Sequence, residues 1–197
     1  EIAHGLGVRS TATIMYGHIE NLQHQAHHLL LVRDLQRRHG GFTEFVPLPF
    51  VAGEAPMYLR GRARRGPTFR EAVLMHAVAR IVLFPHVPNI QASWVKMGPE
   101  GVRACLHAGA NDVGGTLMNE SITRAAGAAH GQEFPPLELE ALIRAAGREP
   151  WQRTTLYEPA PQERQHAARH AAPLAEYVNT PVPRGAARAR VAVPVRN

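Results

Sequence analysis

The chain has 197 residues and a net charge of +6, and 45 % of it is apolar, an ordinary share for a globular protein. That length fits one domain, or one domain and a tail, and no run of roughly 18 apolar residues predicts a membrane span. The single cysteine, Cys105, excludes an internal disulfide framework and any cysteine-rich metal cluster built by this chain alone. A reduced, cytoplasmic setting is the matching expectation. The positive charge is almost all arginine, since Lys96 is the only lysine, and much of it lies in residues 60–65 and 158–197. Charge runs of this kind read as solvated loops and tails, so nucleic acid is not an expected partner.

The first residues carry no basic stretch followed by an apolar core, so they do not read as a signal peptide. Glu1 is not an initiator Met, and Ile2, Ala3 and Leu6 read like the end of an amphipathic helix, so the chain is expected to begin inside a fold. Residues 8–16 are rich in β-branched side chains and stop at Gly17, which predicts a strand. Residues 19–39 place Ile19, Leu22, Ala26, Leu29, Leu30 and Leu35 at roughly helical spacing, and Gly40-Gly41 ends that helix. Residues 42–48 form a second strand signal closed by Pro47 and Pro49, followed by a Gly/Pro/Arg loop over 51–67. Thr68 with Glu71 three residues on predicts a capped helix that runs to Pro85. Residues 89–95 predict a third strand, and Pro99 opens a short helix to His107. Residues 110–117 predict a fourth strand, 136–146 a last amphipathic helix, and 152–157 an extended piece. Strands alternating with helices imply a parallel α/β sheet, either half of an eight-stranded barrel or a small open sheet. Residues 1–157 are taken as that domain, and 158–197 as a disordered or loosely docked Ala/Pro/Arg-rich tail.

In parallel α/β folds, chemistry collects at the C-terminal ends of the strands. The first predicted strand ends in Tyr16-Gly17-His18-Ile19-Glu20, where Gly17 permits close backbone approach and a helix start offers free N–H donors. Glu44 sits in the second strand, Gln91 and Ser93 share one face of the third with Asn89, and Asn111-Asp112 precede Gly114-Gly115 in the fourth. Polar side chains on an inward face are costly unless they bind something or satisfy one another. Both readings stand at this point. Aspartate is disfavoured in strands, which singles out Asp112. His24 and His28 are one helical turn apart, but no zincin-like Glu lies between them, and no metal site is assigned. Gly114-Gly115-Thr116 lacks the spacing of a P-loop, and Cys105 reads as a buried, inert thiol.

Four motifs occur in order: Thr-Ala-Thr-Ile-Met-Tyr-Gly-His-Ile-Glu at 11–20, Gly-Gly-Phe-Thr-Glu-Phe-Val-Pro-Leu-Pro-Phe at 40–50, Ile-Gln-Ala-Ser-Trp-Val-Lys-Met-Gly at 90–98, and Gly-Ala-Asn-Asp-Val-Gly-Gly-Thr-Leu-Met-Asn-Glu-Ser-Ile at 109–122. Together they resemble the Fo (didemethyl-hydroxy-deazariboflavin) synthases, in the part that joins tyrosine to a ribityl-uracil. Futalosine-pathway radical enzymes of menaquinone synthesis are also similar, but residues 43–50 and 118–122 are more like the deazaflavin enzymes. The resemblance implies a radical S-adenosylmethionine (β/α)8 barrel of the TIM type, of which this chain would supply strands five to eight. In that family a Cys-x-x-x-Cys-x-x-Cys loop after the first strand holds a 4Fe-4S cluster that cleaves S-adenosylmethionine, and the radical formed attacks tyrosine. The cysteine loop is missing here, so no cluster is expected on this chain alone, and the chain alone is expected to be inactive. The resemblance implies that Met15, Tyr16, Gly17 and Glu20 serve S-adenosylmethionine, with Met15 and Tyr16 flanking the adenine. It implies that Glu44, Gln91, Ser93, Asn111 and Asp112 face tyrosine or the ribityl-uracil. The expected partner is an N-terminal half-barrel on the same or another chain. The contrasting expectation is a non-catalytic remnant that binds a partner.

Overall fold

The computed structural model describes residues 1–117, 120, 122–131 and 133–172. A one-turn helix α1 (Ile2–Gly5) leads into strand β1 (Ser10–Tyr16) and helix α2 (Leu22–His39). Strand β2 (Phe42–Pro49), the short helix α3 (Pro56–Leu59) and helix α4 (Phe69–Leu83) follow. Then come β3 (Gln91–Ala92), α5 (Trp94–His107), β4 (Asp112–Val113), α6 (Ile122–Ala125), α7 (Pro136–Ala145) and α8 (Gln162–Arg169).

All strand pairings within the sheet are parallel. β1 pairs with β2 and β3 with β4, and a Phe45–Ile90 bridge joins the two pairs, so the strands lie in the order β1-β2-β3-β4. Register fixes which side chains share a face. Ala12, Ile14 and Tyr16 line up with Phe45, Pro47 and Pro49. Ala12, Ile14, Tyr16 and Phe45 pack with Leu29 and Val32 of α2 and Met75, Ala79 and Leu83 of α4. A second apolar cluster sets Trp94, Val102, Cys105 and Leu106 against Phe134, Leu139 and Ala146. Thr11, Thr13 and Met15 point to the opposite face, where no helix packs on them and all three are exposed.

The Thr68 helix signal acts as the sequence predicts, while the helix expected from residue 19 begins only at Leu22. Thr68 accepts from Glu71 N, and the Glu71 carboxylate returns to Thr68 N at 2.6 Å. α2 is capped by Asn21, whose side chain accepts from His24 N at 3.0 Å. The strand signals after residue 89 are shorter than predicted. Ser93 ends β3 because its carbonyl accepts from Lys96 N and Met97 N, which starts α5 at Trp94. α5 is kinked at Gly98, whose φ of 65° precedes Pro99. β4 is confined to Asp112–Val113, beyond which Gly115 O accepts from the Trp94 indole.

Beyond residue 157 the chain continues into a helix. Pro161 stands at the N-cap of α8, and Arg169 of that helix reaches Glu140 of α7 at 2.8 Å, so the beginning of the tail is helical and docked. The expectation of disorder for 173–197 lies outside the described residues.

Candidate functional site

The face of the sheet away from the helices carries the polar side chains. Thr11 Oγ1 donates to Glu44 Oε1 at 3.0 Å, and Gln91 Nε2 donates to Glu44 Oε2 at 2.9 Å and to Asp112 Oδ2 at 2.8 Å. Three of the predicted residues, Glu44, Gln91 and Asp112, therefore meet. They meet around two residues that the sequence reading did not single out. Arg153 takes both oxygens of Asp112, with Nε 2.8 Å from Oδ1 and Nη2 2.5 Å from Oδ2, and also reaches Glu44 at 3.2 Å. The Tyr157 hydroxyl lies 2.6 Å from Glu44 Oε2 and 2.9 Å from Asp112 Oδ2, and its one proton serves one of them at a time. The Arg153 guanidinium stacks 3.9 Å over the Tyr157 ring. Hydrogen bonding to Asp112 outweighs burial and raises the Arg153 pKa further, while burial and the two carboxylates push that of Tyr157 up. Both groups keep their protons at any physiological pH.

The position of this cluster matters. Thr11 is the second residue of β1 and Glu44 the third of β2, so the cluster sits toward the N-terminal ends of those strands. The segment that supplies Arg153 and Tyr157 folds back through an Arg153–Pro159 bridge and crosses that end of the face. Tyr157 takes a positive φ of 64°, the left-handed region that a bulky residue enters only when its surroundings hold it there.

Asn111 and Ser93 are placed elsewhere. Asn111 Oδ1 accepts from Ile90 N at 2.9 Å and from Arg80 Nη2 at 2.5 Å, while Arg80 also donates to Gly109 O and Pro88 O, each at 2.6 Å. Asn111 thus tethers α4 to the starts of β3 and β4, and its acceptor is already engaged. Ser93 is 7 % exposed at the start of α5, above Gln91.

At the upper end of β1, Glu20 closes the turn that follows Tyr16. Its carboxylate accepts from Gly17 N at 2.5 Å, His18 N at 3.0 Å and Gln25 Nε2 at 2.8 Å, and His18 Nδ1 lies 2.8 Å away. Burial pushes this carboxyl up, but those donors outweigh it and hold the pKa at about 2. The turn's N–H groups are therefore not free, in contrast to the sequence expectation. The close approach that Gly17 allows, at a φ of 90°, is made by Pro67, whose ring and nitrogen occupy the space a Cβ would need. Tyr16 is 1 % exposed among the helices and Met15 is 53 % exposed on the open face. Adjacent strand residues point to opposite faces, so the two cannot flank one adenine ring from the same side.

The model of the CofH/MqnC C-terminal region matches residues 39–166. The chain belongs to that family. The match spans Glu44, Gln91, Asp112, Arg153 and Tyr157, and of the cluster only Thr11 lies before it. An FO synthase of Streptomyces coelicolor is 54 % identical over 169 residues, which is 86 % of this chain and 20 % of that protein. The 5-amino-6-(D-ribitylamino)uracil--L-tyrosine 4-hydroxyphenyl transferase of Methanopyrus kandleri is 54 % identical over 158 residues, 80 % of this chain and 43 % of that protein. An FO synthase of Mycobacterium tuberculosis strain H37Rv is 50 % identical over 155 residues, 79 % of this chain and 18 % of that protein. The chain thus spans less than half the length of these relatives.

A 4Fe-4S cluster does not fit the residues of this family member. Such a cluster takes several cysteine thiolates. The chain has Cys105 alone, fully buried in the middle of α5, and burial pushes its thiol up to about 12.

Arg153 and Tyr157 escaped the sequence reading because an extended piece after the last amphipathic helix carries no periodic signal. Their signal was present in another form. Asp112 and Glu44 on one sheet face require cations or donors, and Arg153 and Tyr157 lie in the stretch that follows α7.

Proposed function

We propose that this chain is the C-terminal half of a radical S-adenosylmethionine (β/α)8 barrel that joins L-tyrosine to 5-amino-6-(D-ribitylamino)uracil in deazaflavin synthesis. The observation that carries the reading is the 54 % identity over 158 residues to the Methanopyrus kandleri transferase. The architecture supports it. Four parallel strands have helices on one face and an open polar face on the other, the arrangement of half a barrel cut along its axis. Among the described residues β1 pairs only with β2, and Ile2, Leu6, Val8, Met15, Ile19 and Leu22 beside it are all more than half exposed. A further strand and helix would bury both the open strand edge and this apolar surface.

On this reading the two ends of the face divide the work. At the lower end Glu44, Gln91 and Asp112 do not meet substrate. They hold the Arg153–Tyr157 segment, which closes the barrel floor. At the upper end Glu20 fixes the turn after β1, and Met15 presents an apolar side chain at the position where S-adenosylmethionine would lie. Tyr16 supports that strand from the core side. The 4Fe-4S cluster that cleaves S-adenosylmethionine belongs to the missing half.

Co-expression with the N-terminal part of the Methanopyrus kandleri transferase that precedes the match tests the assembly. The reading expects the two chains to co-elute at one-to-one stoichiometry. A stable, monodisperse monomer that ignores the other half would contradict it.

A further inference from the structure

The loop after β2 and the segment after β4 touch each other, although β3 lies between those strands. Residues 50–67 lead from β2 to α4, and their last part is tied to the end of β1. There Arg64 N donates to His18 O at 2.9 Å, the Arg64 guanidinium pairs with Glu71 at 3.0 Å, and Pro67 packs against Gly17. From the other side, the segment after β4 returns toward β3. The His130 ring fills the space that a Cβ at Gly98 would need, in the helix that starts where β3 ends.

The two stretches meet backbone to backbone. Glu54 N donates to Ala126 O at 3.0 Å, and a Cβ at Gly53 would stand 3.0 Å from Ala126 O and 3.1 Å from Gly127 Cα. Gly53 does not have a positive φ, so it is the close approach and not the conformation that calls for glycine there. Gly53, Glu54 and Gly127 are exposed, and Ala52 is the only buried residue of 51–67. A stretch that buries so little opens at low cost, while its Arg64–Pro67 end stays fixed.

We propose that residues 51–67 are a gate over the upper face. The Gly53-Glu54 tip parts from Ala126-Gly127 to admit L-tyrosine and closes again over it, and the Arg64–Pro67 end is the hinge. Loops that close over a substrate exclude water and set the rates of entry and release. The inference rests on the proposed transferase reading for the identity of the ligand.

Gly53→Ala keeps the backbone conformation and adds one methyl group where the clasp has no room for it. In the full-length chain, hydrogen exchange at the Glu54 N–H should accelerate at least fivefold, with exchange in β1 and β2 unchanged. Unchanged exchange at Glu54 overturns the clasp. The second test replaces no glycine. Glu54→Cys with Ala126→Cys, joined by a short bismaleimide, locks the gate, and Cys105 is buried and does not compete. The control is the same double variant with both thiols capped by N-ethylmaleimide. In the assembly with the N-terminal half, the association rate constant for L-tyrosine should be at least tenfold lower in the locked form than in the control. Equal rates overturn the gate alone. A control assembly that binds no tyrosine overturns the transferase reading and the gate with it. If locking slows tyrosine binding but no assembly makes the adduct, the gate stands and the transferase reading falls.

Discussion

Arg153 grips both carboxylate oxygens of Asp112, a residue 41 positions earlier, through Nε at 2.8 Å and Nη2 at 2.5 Å. The pair is largely shielded, with Arg153 21 % and Asp112 10 % exposed at the side chain. A two-point contact of this kind orients the guanidinium as well as holding it. It is the main tie between the last extended segment and the sheet.

Asp112→Asn keeps the shape and removes the charge. It should lower folding stability by about 2–3 kcal/mol, the range for losing charge-assisted hydrogen bonds in a partly buried pair. Arg153→Met should cost more, because it leaves Asp112 and Glu44 facing each other without a cation. In both variants amide hydrogen exchange should accelerate across 151–160 and not in β1 or β2. Urea melts with hydrogen-exchange mass spectrometry read both effects. Unchanged exchange in that segment would show that Asp112 is not its anchor.

Glu20 gives a pH dependence with a definite sign. Its folded-state pKa, about 2, lies below the ordinary value of 4.5. The stabilisation is therefore complete above about 4.5 and is lost as pH falls through about 2. The shift corresponds to about 2 kcal/mol after allowance for solvent screening at the strand end. The stability difference between the native protein and Glu20→Gln should be largest at pH 6–7 and shrink steadily toward pH 2.5. Denaturant titrations at several pH values measure it, and a difference constant across that range would contradict the assignment.

Much of this fold is legible in the sequence. Thr68 and Glu71 mark a helix start because a capping box is a local interaction, complete within four residues. Residues 10–16 alternate because one sheet face is covered by helices and the other is not. β3 is shorter than the sequence predicts because the Ser93 carbonyl already starts α5 through Lys96 N and Met97 N, and β4 is shorter because the Trp94 indole holds Gly115 O from 21 positions away, a contact that no local window shows. The polar face was legible as a set of side chains, and its partners were not. Glu44 and Tyr157 are 113 positions apart, and only the parallel register and the return of the chain after α7 bring them within 2.6 Å. The same holds for Asn111, whose use by Arg80 depends on how α4 lies over the strands.

Cys105 should be chemically silent in the folded protein. It is fully buried, and burial pushes its thiol up to about 12, so thiolate is scarce at pH 8. Iodoacetamide should label it only across the unfolding transition in urea. Labelling of the native chain at the rate of free cysteine would contradict the packing of α5.

What remains to be tested is the proposal that this chain supplies the C-terminal half of a tyrosine–ribityl-uracil transferase. The most direct measurement replaces the matching 43 % of the Methanopyrus kandleri transferase with this chain and assays the purified, anaerobically reconstituted chimaera with L-tyrosine, 5-amino-6-(D-ribitylamino)uracil and S-adenosylmethionine. The tyrosine–uracil adduct should form and should depend on both substrates. A folded chimaera that carries its cluster and cleaves S-adenosylmethionine, yet makes no adduct, would contradict it.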